Sequence, residues 1–204
     1  HEHYQKSLEA INKALALDAN LSEAHTALCG YKLKYEWNFA EAESECRRAI
    51  ELDPNSSSAH QVYADYLSIR GRFDESIAEM KIAKDLEPAS INGEMDDGLN
   101  FEHARRYDEA VAIYKRVVEM NEDYGNVYPF LWHTLSLQGK YEEAFEWYLK
   151  MPWLRDDRNG IGELADHHEA SDKEYVQSLK KIYKESGWKG IEKEWTNRIE
   201  KSFH

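Results

Sequence analysis

Small and apolar residues recur along this chain at the spacing of one helix face, and the whole pattern repeats about every 34 residues. Aromatic residues mark the interval: Tyr4, Phe39, Phe73, Tyr107, Tyr141 and Tyr175, with one step of 35 and four of 34. Three residues after each stands a small one: Ser7, Ala42, Ser76, Ala110, Ala144 and Ser178. Seven after each stands a larger, mostly apolar residue (Ile11, Cys46, Met80, Tyr114, Tyr148, Ile182), and ten after come Ala14, Ala49, Ala83, Val117 and Met151. Offsets of three, seven and ten share one face of an α-helix. A second helical stripe precedes each aromatic, as Ala59, Tyr63, Tyr66 and Leu67 do before Phe73. Gly71 and Gly139 stop these preceding helices, because glycine takes the left-handed conformation without steric cost. Pro54 and Pro88 stop the second helices, since proline cannot continue the hydrogen-bond ladder. The unit is therefore helix, tight turn, helix, short turn. The 35-residue step places one extra residue near Tyr35-Glu36-Trp37-Asn38.

At these residues the chain resembles the tetratricopeptide repeat, most closely in AHQVYADYLSIRGRFDESIAEMKIAKDLEP over residues 59–88. The stretch LSEAHTALCGYKLKYEWNFAEAESECRRAIELDPN is similar to repeats attached to bacterial winged-helix regulators, adenylate cyclases and serine/threonine kinases. The pattern departs from the family at Cys29-Gly30, at Asp97, where an apolar residue is usual, and at Glu122, where proline is usual. The resemblance implies an all-α, right-handed superhelical solenoid of antiparallel helix pairs with a C-terminal capping helix. Repeats occupy residues 1–151: a second helix alone at 1–18, then units at about 21–54, 56–88, 90–122 and 124–151. A loop and degenerate repeat follow at 152–186, and a cap at 187–204, where Ile191, Trp195 and Ile199 form one stripe. Opening on a second helix reads as a chain that lacks an upstream element.

Stacked repeats present a concave surface lined by their first helices, and the resemblance implies that this groove holds a peptide. Projected faces place Glu23, Thr26, Gln61, Asp65, Asn92, Met95, Glu102, Asn126, His133 and Ser136 there. Amide side chains in such a groove can both donate to and accept from a ligand backbone. The carboxylate clamp of chaperone-binding relatives is missing, because its sites hold Thr26, Gly30 and Val62. The expected role is a protein–protein interaction module of a larger bacterial protein. A small-ligand sensor relaying to a fused domain is the alternative, and self-association a third reading.

Charge narrows the partner. Lysine and arginine number 26 against 39 acidic residues, a net −13. Residues 171–204 carry 8 basic and 6 acidic side chains (+2), leaving −15 on residues 1–170. Such a body favours a basic or neutral protein or peptide and disfavours nucleic acid. The +2 end could meet the −15 body of another copy in weak self-association. No stretch is apolar enough for a membrane span, and the first ten residues lack the apolar run of a secretory signal.

Chemistry is sparse. Phosphate-loop, dinucleotide and nucleophile-elbow motifs are absent, so neither an enzyme nor a cofactor is expected. Adjacent acids such as Asp96-Asp97 and Asp156-Asp157 do not oppose one another across a bond as glycosidase carboxylates do. Asp97, if buried at a repeat contact, requires a cationic partner such as Arg105 or Arg106. His1-Glu2-His3 reads as a terminal remnant rather than a metal site, and His167-His168-Glu169 lacks metal-ligand spacing. His25 and His60 recur one repeat apart and read as packing residues with a wet polar tip. Cys29 and Cys46 fall on the inward faces of paired helices, where a disulfide is geometrically conceivable and buried reduced thiols are the expected state. Free thiols suit a reducing, cytoplasmic setting.

Overall fold

The second helices of the four full repeats begin at their aromatics, Phe39, Phe73, Tyr107 and Tyr141. In the computed structural model, residues 2–151 and 172–202 are described. They form α1 (Glu2–Leu17), α2 (Ser22–Tyr31), α3 (Phe39–Leu52), α4 (Ser57–Ile69), α5 (Phe73–Leu86), α6 (Ile91–His103), α7 (Tyr107–Met120), α8 (Val127–Leu137), α9 (Tyr141–Leu149) and α10 (Asp172–Ser202). No strand occurs among the described residues. Consecutive helices pack as pairs, α2 on α3, α4 on α5 and α8 on α9. The first helices α2, α4 and α6 also touch in succession. This is an all-α helical solenoid. The chain divides into two units, residues 1–113 and 114–204.

The periodic positions do the packing. Ala42, Ser76, Ala110 and Ala144 are all fully buried, and so are Cys46, Met80 and Tyr114. A small residue lets two helix backbones approach, and the larger one fills the space beside it. Ser76 adds a polar fastening, its Oγ lying 2.8 Å from the Ala64 carbonyl and 2.7 Å from Asn100 Oδ1. Three helix starts are capped by side chains: Asn38, Ser56 and Ser90 accept from the backbone N–H of Glu41, Ala59 and Gly93.

The turn between paired helices obeys one rule in all four full repeats. Trp37, Gly71, Arg105 and Gly139 stand at 34-residue steps, and all four have left-handed φ, between 55° and 74°. Glycine supplies this at two of them; Trp37 and Arg105 take it against the cost of a Cβ. The extra residue of the first full repeat is absorbed just before Trp37, where Lys32–Glu36 forms a π-helix. One inserted residue widens a helical turn in this way.

Two expectations are corrected. Cys29 and Cys46 are not free thiols but are joined in a disulfide, with their Cα atoms 5.2 Å apart. The facing inward positions of α2 and α3 bring the sulfurs within bonding geometry, and the bond withdraws the support that free thiols lent to a reducing compartment. Asp97, buried as expected, pairs with Lys84 of α5 at 2.6 Å rather than with Arg105 or Arg106. Arg106 instead binds Glu109 and lies over the Phe101 ring.

In the second unit, α10 is interrupted at Gly187 (φ 61°, ψ −157°), inside the expected separator, and resumes through Trp188 and the fully buried Ile191. Gly190 has no room for a side chain, since a Cβ would sit 2.6 Å from that of Ser186. Trp188 and Trp195 pack with Trp132 of α8, at ring separations of 6.0 and 5.1 Å. Asp156-Asp157, His167-His168-Glu169 and most of the loop and degenerate repeat lie outside the described residues, as do His1 and the side chains of Glu2 and His3. No described helix is long and apolar enough to cross a membrane.

Candidate functional site

The first unit gathers polar side chains along one stripe of α4. Gln61, Asp65 and Ser68 stand at helical offsets of four and seven, so they share a face. Each reaches a neighbour. Gln61 Nε2 donates to Asp96 Oδ2 of α6 at 2.7 Å. Asp65 lies 3.8 Å from Lys34 Nζ, presented by the π-helix that follows α2. Ser68 Oγ and His103 Nδ1, at the end of α6, are 2.8 Å apart. The stripe therefore links three successive repeats through side chains.

Its electrostatics are acidic and strained. Burial is the main cause that raises the Asp96 carboxyl to about 6, and the charge of Asp65 adds to it. Asp65 is raised too, mainly by burial, against the opposing influence of Lys34 and His103. Two half-buried carboxyls on adjacent first helices thus hold protons more tightly than free aspartates do. A cation placed between them would relieve that cost.

The expected groove residues distribute unevenly. Gln61 and Asp65 lie in this cluster; Glu23 and Asn92 are exposed and Glu102 is half-buried. Thr26 and Met95 are buried, and the Thr26 hydroxyl donates to the Ser22 carbonyl one turn earlier. In the second unit, Asn126 directly precedes α8, and His133 and Ser136 belong to it; Asn126 and His133 are exposed, and Ser136 donates to the Trp132 carbonyl. Asp96, Ser68, His103 and Lys34 were not among the expected residues. A signal for them exists: Gln61–Asp96 and Ser68–His103 each span 35 residues, one repeat plus one.

Two stretches, residues 45–78 and 98–124, match family models of the tetratricopeptide repeat. These stretches are tetratricopeptide repeats. Among solved structures it is similar to pilF of Pseudomonas aeruginosa, with TM-score 0.65 and 21% identity over 95% of this chain and 90% of that one. A thermophilic tetratricopeptide repeat protein of Thermus thermophilus gives TM-score 0.62 at 18% identity, covering 73% and 83% of the two chains. YrrB, a tetratricopeptide repeat protein with an unusual peptide-binding site, gives 0.57 at 17%, covering 74% and 77%. At these identities the likeness is one of fold. No curated protein matches the sequence.

Proposed function

We propose that this chain is a non-catalytic protein–protein interaction module that takes a peptide segment along the first-helix face of its first unit. The observation that carries the reading is the α4 stripe, where Gln61, Asp65 and Asp96 converge from adjacent repeats with their carboxyls held above the ordinary range. Glu23, Asn92 and Glu102 would extend the face, and Thr26 and Met95 would support it from beneath. The second unit offers Asn126, His133 and Ser136 as a polar face of its own. Peptide binding by a relative of the same fold, YrrB, supports the class of ligand. The raised carboxyls and the net −13 charge support a basic segment over an acidic one. Membership in a larger regulatory protein follows from the resemblance of residues 21–55 and belongs to the same proposal.

The test is a fluorescence-anisotropy screen of basic, neutral and acidic peptide libraries, followed by the Gln61→Ala/Asp65→Asn/Asp96→Asn variant. A basic peptide should bind, lose about tenfold or more in affinity in the variant, and bind more tightly at pH 7 than at pH 5. Unchanged affinity in a folded variant would overturn the assignment of this face.

A further inference from the structure

The repeats fill one position between their paired helices in different ways. In the second full repeat it is held by Ala64 and Met80, both fully buried in one cluster. In the last it is held by Trp132 against Tyr148, at a ring separation of 6.0 Å. In the first full repeat the same position holds the bonded pair Cys29 and Cys46. A covalent bond here does what a small–large apolar pair does one repeat on. The bond sits in a core with Leu33, Tyr63, Tyr66 and Leu67, and both cysteines are at most 1% exposed.

We propose that Cys29 and Cys46 are a folding-time oxidation site whose bond pins the turn that presents Lys34 to the groove. Both sulfurs are sealed by side chains of α4, so the bond forms before α4 docks and is afterwards out of reach of reductants. In the step, two S–H bonds break and one S–S bond forms. Two electrons and two protons pass to a disulfide-bonded carrier, which leaves as a dithiol. The chain therefore matures where such a carrier is available, in an oxidising compartment. The bond closes a hairpin 17 residues apart in sequence, whose turn contains the π-helix, the left-handed Trp37 and the Asn38 cap. Leu33, 2% exposed, anchors that turn in the disulfide's core, and the next residue, Lys34, faces Asp65. What Lys34 does for a ligand rests on the groove reading above; the oxidation and its effect on the turn do not.

The test refolds the chain either in a glutathione redox buffer or in dithiothreitol, then counts alkylated thiols by intact mass and follows amide exchange over residues 32–38. The glutathione-refolded chain should take up no alkylating reagent, and should keep its bond in dithiothreitol until denaturant is added. The chain refolded reduced should exchange the turn amides about tenfold faster or more. A Cys29→Ala/Cys46→Met variant, which copies the Ala64/Met80 filling, should show slow exchange in both buffers. Two alkylated thiols after glutathione refolding, rapid reduction of the bond in native buffer, or equal exchange in the oxidised and reduced chains would each overturn the proposal. Loss of peptide binding in both redox forms would count against the groove alone.

Discussion

His60 Nδ1 lies 2.6 Å from Glu79 Oε2, and its Nε2 lies 3.0 Å from the Pro54 carbonyl, so one buried ring ties α4 to α5 and to the preceding turn. His25 repeats the arrangement with Glu45 and the Ala19 carbonyl, at 2.6 and 3.1 Å. The sequence separation is 19 in one pair and 20 in the other. The additional residue is the one absorbed by the π-helix. The recurrence of histidine at one repeat was legible as packing; that its polar tip is bonded rather than wet was not.

Replacing His60 by leucine should fill the space and leave the Glu79 carboxylate and a turn carbonyl without their partner. The expected cost is about 1–3 kcal/mol, measured as a lower urea midpoint. No change in midpoint would show that the bridge contributes nothing beyond the ring's volume.

Lys84 and Asp97 bridge α5 to α6 of the next repeat, with Glu94 also 3.2 Å from the ammonium. Lys84→Met should destabilise by about 1.5–3 kcal/mol, because it removes the cation 2.6 Å from a buried carboxylate. The Lys84→Met/Asp97→Leu double variant should recover most of that, since an apolar residue suits the position. A double variant as unstable as the single one would refute the charge-pair account.

Arg105 sits in the left-handed conformation that Gly71 and Gly139 adopt in the neighbouring turns. Arg105→Gly should raise the thermal midpoint, with a gain on the order of 1 kcal/mol as the Cβ clash is removed. The reverse exchange at Gly71, Gly71→Ala, should lower it by a similar amount. Equal midpoints for all three proteins would contradict this reading of the turn.

Asp96 sets a pH dependence. A carboxyl held above its ordinary value binds its proton more tightly in the folded chain than in the unfolded one. Its contribution is therefore fully present below pH 3.8 and is lost as the pH rises through about 6. Asp96→Asn keeps an acceptor for Gln61 and removes the charge, so it should stabilise the chain at pH 7 by about 1 kcal/mol after allowance for solvent screening. It should also flatten the decline between pH 4 and 6. Denaturation midpoints across that range decide it, and a variant less stable at pH 7 than at pH 4 by the wild-type margin would refute it.

The groove was partly legible. Gln61 and Asp65 could be projected from the periodicity of α4 alone. Asp96 was read only beside Asp97, as an adjacent pair, although the two point to different neighbours: Asp96 to α4 and Asp97 to α5. Helical spacing of about 100° per residue separates adjacent side chains, yet which helix each one meets depends on how repeats stack. The cysteines fail for a similar reason. Their inward faces could be read, but whether two sulfurs meet depends on the distance between α2 and α3.

By itself the sequence determined the repeat length, the helix-turn-helix unit, the small and large positions that pack it, and the place of the inserted residue. All are encoded within one or two helical turns, where side-chain period and turn chemistry act directly. Only the tertiary structure decided the Cys29–Cys46 bond, the Lys84–Asp97 bridge, the left-handed Trp37 and Arg105, and the meeting of Gln61 with Asp96. These join residues brought close by helix pairing or repeat stacking, or fix a backbone conformation that the local residue disfavours. In each, the energy of the packed surroundings outweighs what the neighbouring sequence would choose.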